Sequence, residues 1–280
     1  MSAAAGRGPE MSADVESPVY TLHRGTRPLL VSVPHAGREI PESLRPRLVE
    51  RALAVEDTDW HLDTLYGFAR ELGASLLVPR LSRYAIDLNR PPEDTPMYPG
   101  VNNTGLVPTT AFTGDPIYRP GSEPDAADVA HRIEAWWKPY HAALAAEAAR
   151  VRANHGHAVL FDGHSIKSQL PWLFEGRLPD LNLGTAGGAS CAPDLREAAA
   201  AVLTSQDRWT VAVDGRFKGG YITRRYGRPA EGVHALQLEM CWSCYLADEA
   251  RPADWDAGFA GGVQPLLRRL LETLVAWRPE

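Results

Sequence analysis

No stretch of this sequence reaches the roughly 18 consecutive apolar residues that a bilayer-spanning helix needs, which argues against a helical membrane protein. Residues 1–17 are small, polar and glycine-bearing, and they lack the apolar centre of a secretory signal. They read as a disordered tail, with Met11 as a second candidate start, and the protein is expected in the cytoplasm. Positive charge is in deficit: 29 Lys and Arg against 35 Asp and Glu leave a net charge of −6. No bulk attraction to nucleic acid or to an anionic membrane is expected, and net charge leaves room for a local basic pocket. Oligomeric state is left open by the sequence. Cysteine is scarce. Of Cys191, Cys241 and Cys244, the last two form a C-x-x-C that follows a strand-like apolar run instead of opening a helix. No second such pair exists to complete a structural zinc site, so two half-buried thiols are the expectation. There is no internal repeat and no linker, and residues 18–280 read as a single domain of ordinary globular composition.

What is present alternates. Residues 29–34 (LLVSVP) form an unbroken apolar run with β-branched members, the pattern of a buried strand. Residues 59–72 put Leu62, Leu65, Tyr66, Ala69 and Leu72 on one helical face, with Asp59 at or near the N-cap and Gly73 as the stop. Residues 74–79 predict a strand and 84–88 a short one. Residues 91–124 are dense in Pro, Gly, Thr and Asn, and a loop this long inside a compact domain is usually functional or disordered. Residues 125–155 predict a long helix, bent or broken at Pro139. Residues 157–161 predict a strand ending in Asp162-Gly163-His164-Ser165. Helices are expected over 193–206 and 256–277, and strands over 209–213 and 233–240. This alternation predicts an α/β fold around a mostly parallel sheet.

The chemically rich residues fall at expected strand ends, where open α/β sheets bind ligands. His35 follows the first core strand in Pro34-His35-Ala36-Gly37. His164 stands in a near copy of that context, and Glu239 closes a third strand. Imidazole suits Zn²⁺, and two histidines with one carboxylate leave a coordination position for water. Either histidine alone reads as an ordinary hydrogen-bonded strand-end residue; the pair favours a metal. No H-E-x-x-H is present, and neither His35 nor His164 has a glutamate three residues on. The third ligand is therefore open among Asp59, Glu39, Asp57 and Asp63, while Asp162 suits a role orienting His164. Glu239 reads equally as an exposed strand-end residue and as a general base beside a metal.

Arginine is dense around two loops. Arg80, Arg83 and Arg90 precede the long loop, and Asn89-Arg90 stands against two prolines. Arg216, Arg224, Arg225 and Arg228 occupy or follow a glycine-rich stretch, Gly215 onward. Surface solubility accounts for such arginines, but two basic loops in an acidic protein suit a small dianion, because guanidinium pairs bidentately with carboxylate. Gly219-Gly220 has neither phosphate-loop spacing.

SVPHAG, TDWHLDTLYGFA, SRYAIDLNRPP, FDGHSI, GRFKGGYITRRYG and GVHALQLE, in this order, resemble the N-formylglutamate deformylase (N-formylglutamate amidohydrolase) family. The resemblance runs from about Val19 to the C-terminal helix. That family is similar in turn to the zinc carboxypeptidase and aspartoacylase group. The resemblance implies a three-layer α/β/α sandwich on a mixed, mostly parallel sheet. It also implies one divalent metal ion, Zn²⁺ by default, and hydrolysis of N-formyl-L-glutamate to formate and L-glutamate in histidine degradation. His35, Asp59 and His164 fall on the metal ligands, Glu239 on the catalytic glutamate, and Asn89 and Arg90 on a substrate-binding pair; Arg224 is the candidate for the second carboxylate. Two rivals are a related zinc amidohydrolase acting on another N-acyl amino acid and a non-catalytic dicarboxylate-binding protein.

Overall fold

The computed structural model describes residues 13–95 and 102–279. Eight strands form one sheet: β1 (Ala13–Glu16), β2 (Tyr20–Arg24), β3 (Leu29–Ser32), β4 (Ser75–Pro79), β5 (Ala158–Ile166), β6 (Leu181–Gly184), β7 (Val211–Val213) and β8 (Val233–Cys241). Their order is β1-β2-β4-β3-β5-β8-β6-β7. The pairs β4–β3, β3–β5, β5–β8 and β6–β7 are parallel, and β1–β2, β2–β4 and β8–β6 are antiparallel, so the sheet is mixed and mostly parallel. The helices are α1 (Leu62–Leu65), α2 (Ala126–Arg132), α3 (Lys138–His155), α4 (Pro193–Thr204), α5 (Tyr221–Tyr226), α6 (Ala257–Ala260) and α7 (Gln264–Ala276). None is long and apolar enough to cross a membrane.

Both faces of the sheet are covered, giving the three expected layers. Leu29, Val31, Val159, Phe161, Leu236 and Leu238 pack on one face under α4 and α7. Leu30, Leu160 and Ala235 pack on the other under α3 and α5. Side chains alternate across a strand, so the second face continues along β3, β5 and β8 as Ser32, Asp162, His164, Gln237 and Glu239. The pairing aligns these residues laterally: Ser32 with Asp162, Asp162 with Gln237, His164 with Glu239. All five are buried. One face of the central strands thus turns polar at its carboxyl end while the opposite face stays apolar. Gly163 belongs to the apolar face, where a Cβ would lie 3.1 Å from the Tyr66 ring and 3.3 Å from Val33.

Several sequence expectations need correction. β5 does not stop at Phe161; its pairing with β8 continues to Ile166, so His164 lies inside a strand. No helix spans 59–72. His61 adopts a left-handed backbone (φ 58°), only α1 and a 3₁₀ turn at Gly67–Ala69 form, and Asp59 caps neither. Residues 84–88 form a turn without strand partners, opened by the Ala85 N–H on the Ser82 carbonyl at 2.9 Å. The C-terminal helix is divided at Gly261-Gly262 into α6 and α7. Of the expected tail, residues 1–12 lie outside the described residues, and Ala13–Glu16 forms β1. The bend before Pro139 is a π-helical turn, Ile133–Trp137, where the proline's missing N–H and its ring interrupt regular helix. Asp125 caps this long helix by accepting the Asp128 N–H at 2.8 Å.

Candidate active site

His35, Asp59 and His164 converge where the polar face of the sheet ends. Among the described residues they are the one group of three potential ligands, all buried, whose donor atoms lie within 4.8 Å of one another. The chain brings Asp59 there by folding back: its N–H donates to the His35 carbonyl at 3.0 Å, and its Oδ2 accepts the Ser165 N–H at 3.1 Å. His35 Nδ1 lies 3.7 Å and His164 Nδ1 3.1 Å from that same Oδ2. Each imidazole is backed on its other nitrogen by a carboxylate. His35 Nε2–H donates to Asp87 at 2.7 Å and His164 Nε2–H to Asp162 at 3.0 Å. This carboxylate–histidine arrangement fixes ring orientation and leaves both Nδ1 lone pairs for a ligand. Two nitrogens and one oxygen, buried yet opening on a cavity, fit a divalent metal with a position left for water.

The electrostatics separate two carboxylates. Burial alone would raise the Asp59 carboxyl, but hydrogen bonds from His164 and His35 outweigh it and hold it well below the usual range. Burial would lower His164, but Asp162 and Asp59 outweigh it and raise it. In this state His164 holds a proton that a metal would displace. Glu239 faces the same cavity, and burial pushes its carboxyl up to about 8, only partly offset by His164. Its nearest hydrogen-bond partner is weak, Gln237 Nε2 at 3.5 Å. A buried carboxylate this poorly satisfied is ready to hold a proton.

The cavity has a volume of about 540 Å³. Asn89, Arg90, Arg216, Gln237 and Glu239 line it with the three candidate ligands, and Phe112, Leu173, Phe174 and Phe217 supply apolar wall. Asn89 is fixed through its amide oxygen. Its Oδ1 accepts the Ile222 N–H at 2.8 Å, which turns Nδ2 towards His164 Nε2 at 2.9 Å. The glycines of the second basic loop serve this approach, since a Cβ at Gly220 would lie 2.2 Å from Asn89 Nδ2. Arg90 is half-buried, with Nε on the Thr104 carbonyl at 3.1 Å. Arg216 stacks over Phe174 at 5.0 Å and donates to the Leu173 carbonyl at 2.7 Å. The long loop contributes Asn102, Asn103, Thr104 and Phe112 to the lining; its residues 96–101 lie outside the described part.

Arg224 does not reach the cavity. It lies on α5, is exposed and donates Nε to the Gly219 carbonyl at 2.9 Å; Arg216, in the loop before α5, lines the cavity instead. The rival ligands lie elsewhere. Glu39 pairs with Arg80 at 3.0 Å, Asp57 accepts the Phe112 N–H at 2.9 Å, and Asp63 sits on α1 outside the ligand group. The one H-x-x-E in the chain, His131 to Glu134, falls on α2 and the π turn, where Glu134 pairs with Lys138. Cys241 and Cys244 are buried free thiols near the Pro179 and Asp180 carbonyls, raised by desolvation. Sequence reasoning missed Asp87 and Gln237, and it grouped Arg83 with the arginines of the first basic loop, not with the carboxylates of the ligand set. Arg83 is buried, ion-paired to Asp87 at 2.6 Å and 4.0 Å from Asp59, with its guanidinium over Phe112 at 4.5 Å. The Arg83–Asp87 spacing of four within an otherwise apolar stretch was the available signal, and for Gln237 it was its period-two relation to Glu239.

A family model described as N-formylglutamate amidohydrolase matches residues 27–246. N-formylglutamate deformylase of Pseudomonas putida is 45% identical over 262 residues, covering 94% of this chain and 97% of that protein. Its counterpart from Pseudomonas aeruginosa is 47% identical over 262 residues, covering 94% and 98%. Among solved structures, N-formylglutamate amidohydrolase from Ralstonia eutropha superimposes with a TM-score of 0.75 at 28% identity, covering 92% of this chain and 96% of that one.

Proposed function

Because the chain belongs to the N-formylglutamate amidohydrolase family, we propose that it hydrolyses N-formyl-L-glutamate to formate and L-glutamate. Residues 18–280 then act as one amidohydrolase domain, serving the final step of a histidine-degradation route. The observation that carries the reading is the buried His35–Asp59–His164 donor set opening, beside Glu239, into an arginine-bordered cavity. We assign the metal as one Zn²⁺, which two imidazoles and a carboxylate suit. Bound there, it supplies Lewis acidity that polarises the formyl carbonyl and acidifies water.

The chain's own residues do the rest. Glu239 accepts the proton of the attacking water and passes it to the departing amine, for which its raised proton affinity suits it. Arg90 and Arg216 take the two glutamate carboxylates, and Asn89 orients the substrate between them. Asp87 and Asp162 hold the imidazoles in place throughout. Release of the free amino acid, L-glutamate from N-formyl-L-glutamate and N-acetyl-L-glutamate and L-aspartate from N-formyl-L-aspartate, tests the proposal. The formylglutamate kcat/KM should exceed the others by about two orders of magnitude, the discrimination that a small change in substrate size supports. Similar rates on all three would refute the narrow substrate.

A further inference from the structure

The helix over the polar face carries two side chains that this chemistry does not use. Trp137 ends the π-helical turn and His141 lies in the first turn of α3. Four residues apart, they share one face of the helix, and that face meets the turn at residues 88–90. Trp137 Nε1–H donates to the Arg90 carbonyl at 3.0 Å, and His141 Nε2–H donates to the Leu88 carbonyl at 2.9 Å. Between them, the Asn89 carbonyl accepts the Tyr221 N–H at 3.4 Å. Of three consecutive carbonyls of the candidate substrate-binding turn, the outer two are thus held by the side chains of Trp137 and His141 and the middle one by a backbone N–H of α5. The two rings stack at 3.8 Å, and both residues are buried.

The protonation of His141 follows from its partners. A carbonyl only accepts, so Nε2 carries the proton. Burial holds the pKa down to about 3, which keeps the ring neutral, and Nδ1 accepts the Tyr226 O–H at 3.0 Å. Tyr226 ends α5, and the first turn of α5 donates the Ile222 N–H to Asn89 Oδ1. His141 therefore bears on Asn89 along two routes, through the Leu88 carbonyl and through α5.

We infer that Trp137 and His141 are positioning residues that fix the Asn89–Arg90 turn and thereby set the enzyme's grip on the substrate carboxylate. The inference rests on the amide-hydrolase reading above. A preorganised turn spares the substrate the cost of ordering Asn89 and Arg90 when it binds. Neither residue touches the ligand set or Glu239; the turn meets that set through the Asn89 side chain, 2.9 Å from His164, whereas Trp137 holds the Arg90 carbonyl, so loosening that end weakens binding more than turnover.

Steady-state kinetics on N-formyl-L-glutamate with Trp137→Phe, His141→Phe and His141→Gln provide the test. Both Phe variants keep an aromatic ring and lose the N–H. Their KM should rise about five- to tenfold, the worth of one neutral hydrogen bond, with kcat within about twofold. His141→Gln keeps a donor and should restore most of the wild-type KM. The inhibition constant for L-glutamate should rise in parallel with KM, while that for acetohydroxamate, which reaches a metal without a side-chain carboxylate, should not move. Unchanged KM in both Phe variants, a fall in kcat alone, or equal weakening of both inhibitors would overturn the inference. If His141→Phe does not fold, Trp137→Phe carries the same test. A wild-type chain inactive on N-formyl-L-glutamate would sink the substrate reading instead. Calorimetric L-glutamate binding to wild type and Trp137→Phe would then still decide this inference, weaker binding by the variant supporting it and equal binding overturning it.

Discussion

Asp59 and Glu239 face one cavity from two differently built regions. Around Asp59 the chain supplies hydrogen-bond donors: the Ser165 N–H and two imidazoles. Around Glu239 it supplies strand core, with Leu238 and Met240 on the opposite face; His164 stands beside it on β5, but among the described residues its carboxyl has one hydrogen-bond donor, Gln237 Nε2 at 3.5 Å. Both carboxyls are buried to a similar degree, yet one is driven down and the other up. The difference lies in partners, not in depth. A carboxylate surrounded by donors serves as a ligand, while one left among apolar neighbours holds and releases a proton near neutral pH.

That contrast breaks most visibly at the ligand set. Asp59→Asn or His164→Ala should lose the metal, measured by elemental analysis, and with it all detectable activity; a chelator should do the same to the wild type. Glu239→Gln should instead keep one metal per chain while kcat falls about 10²- to 10⁴-fold. Because a base must be ionised to work, wild-type kcat/KM should climb as pH rises through the Glu239 pKa, and the Gln variant should lack that limb. A near-normal rate in Glu239→Gln would end its proposed role. On the substrate side, Arg216→Ala should raise KM about tenfold or more by losing a charge-assisted contact, whereas Arg224→Ala should change it by less than about twofold.

A further effect concerns stability. In metal-stripped protein the Glu239 carboxyl stays protonated up to about 8, whereas in the unfolded chain it ionises near its ordinary 4.5. The unfolded state therefore releases its proton first. Stability is full below 4.5 and falls as pH rises towards 8. Glu239→Gln removes that loss, so its melting temperature should gain on the wild type as pH rises across this window. Equal pH dependence of the two would show that Glu239 is better partnered than its surroundings indicate.

Much of the sheet was legible because β3, β4 and β8 are apolar runs whose partners need not be known. The end of β5 was not. Asp162 and His164 look like the close of a strand, but they are polar because they face a cavity, and the register with β8 carries on through them. The region after Asp59 misled for the opposite reason. Leu62, Leu65, Tyr66 and Ala69 have helical spacing, yet the left-handed backbone at His61 and the tie between Asp59 and His35 are tertiary choices that outweigh propensity. His35, Asp59 and His164 were readable from local context and family likeness. Arg216 and Arg224 fall in one basic stretch of sequence and share one chemistry, but one lies in the loop and the other on α5, and only the fold decides which of them reaches the cavity.

The parallel alignment of β5 and β8 carries one more consequence. His164 and Glu239 stand opposite each other because the two strands pair in register from Ala158↔Val233 to Ile166↔Cys241. A slip of a single residue would send one of the two to the far side of the sheet and drive leucines into the cavity. No partly correct alignment preserves the site, so turnover doubles as an assay of strand registration: a chain that hydrolyses its substrate has paired its central strands to the residue.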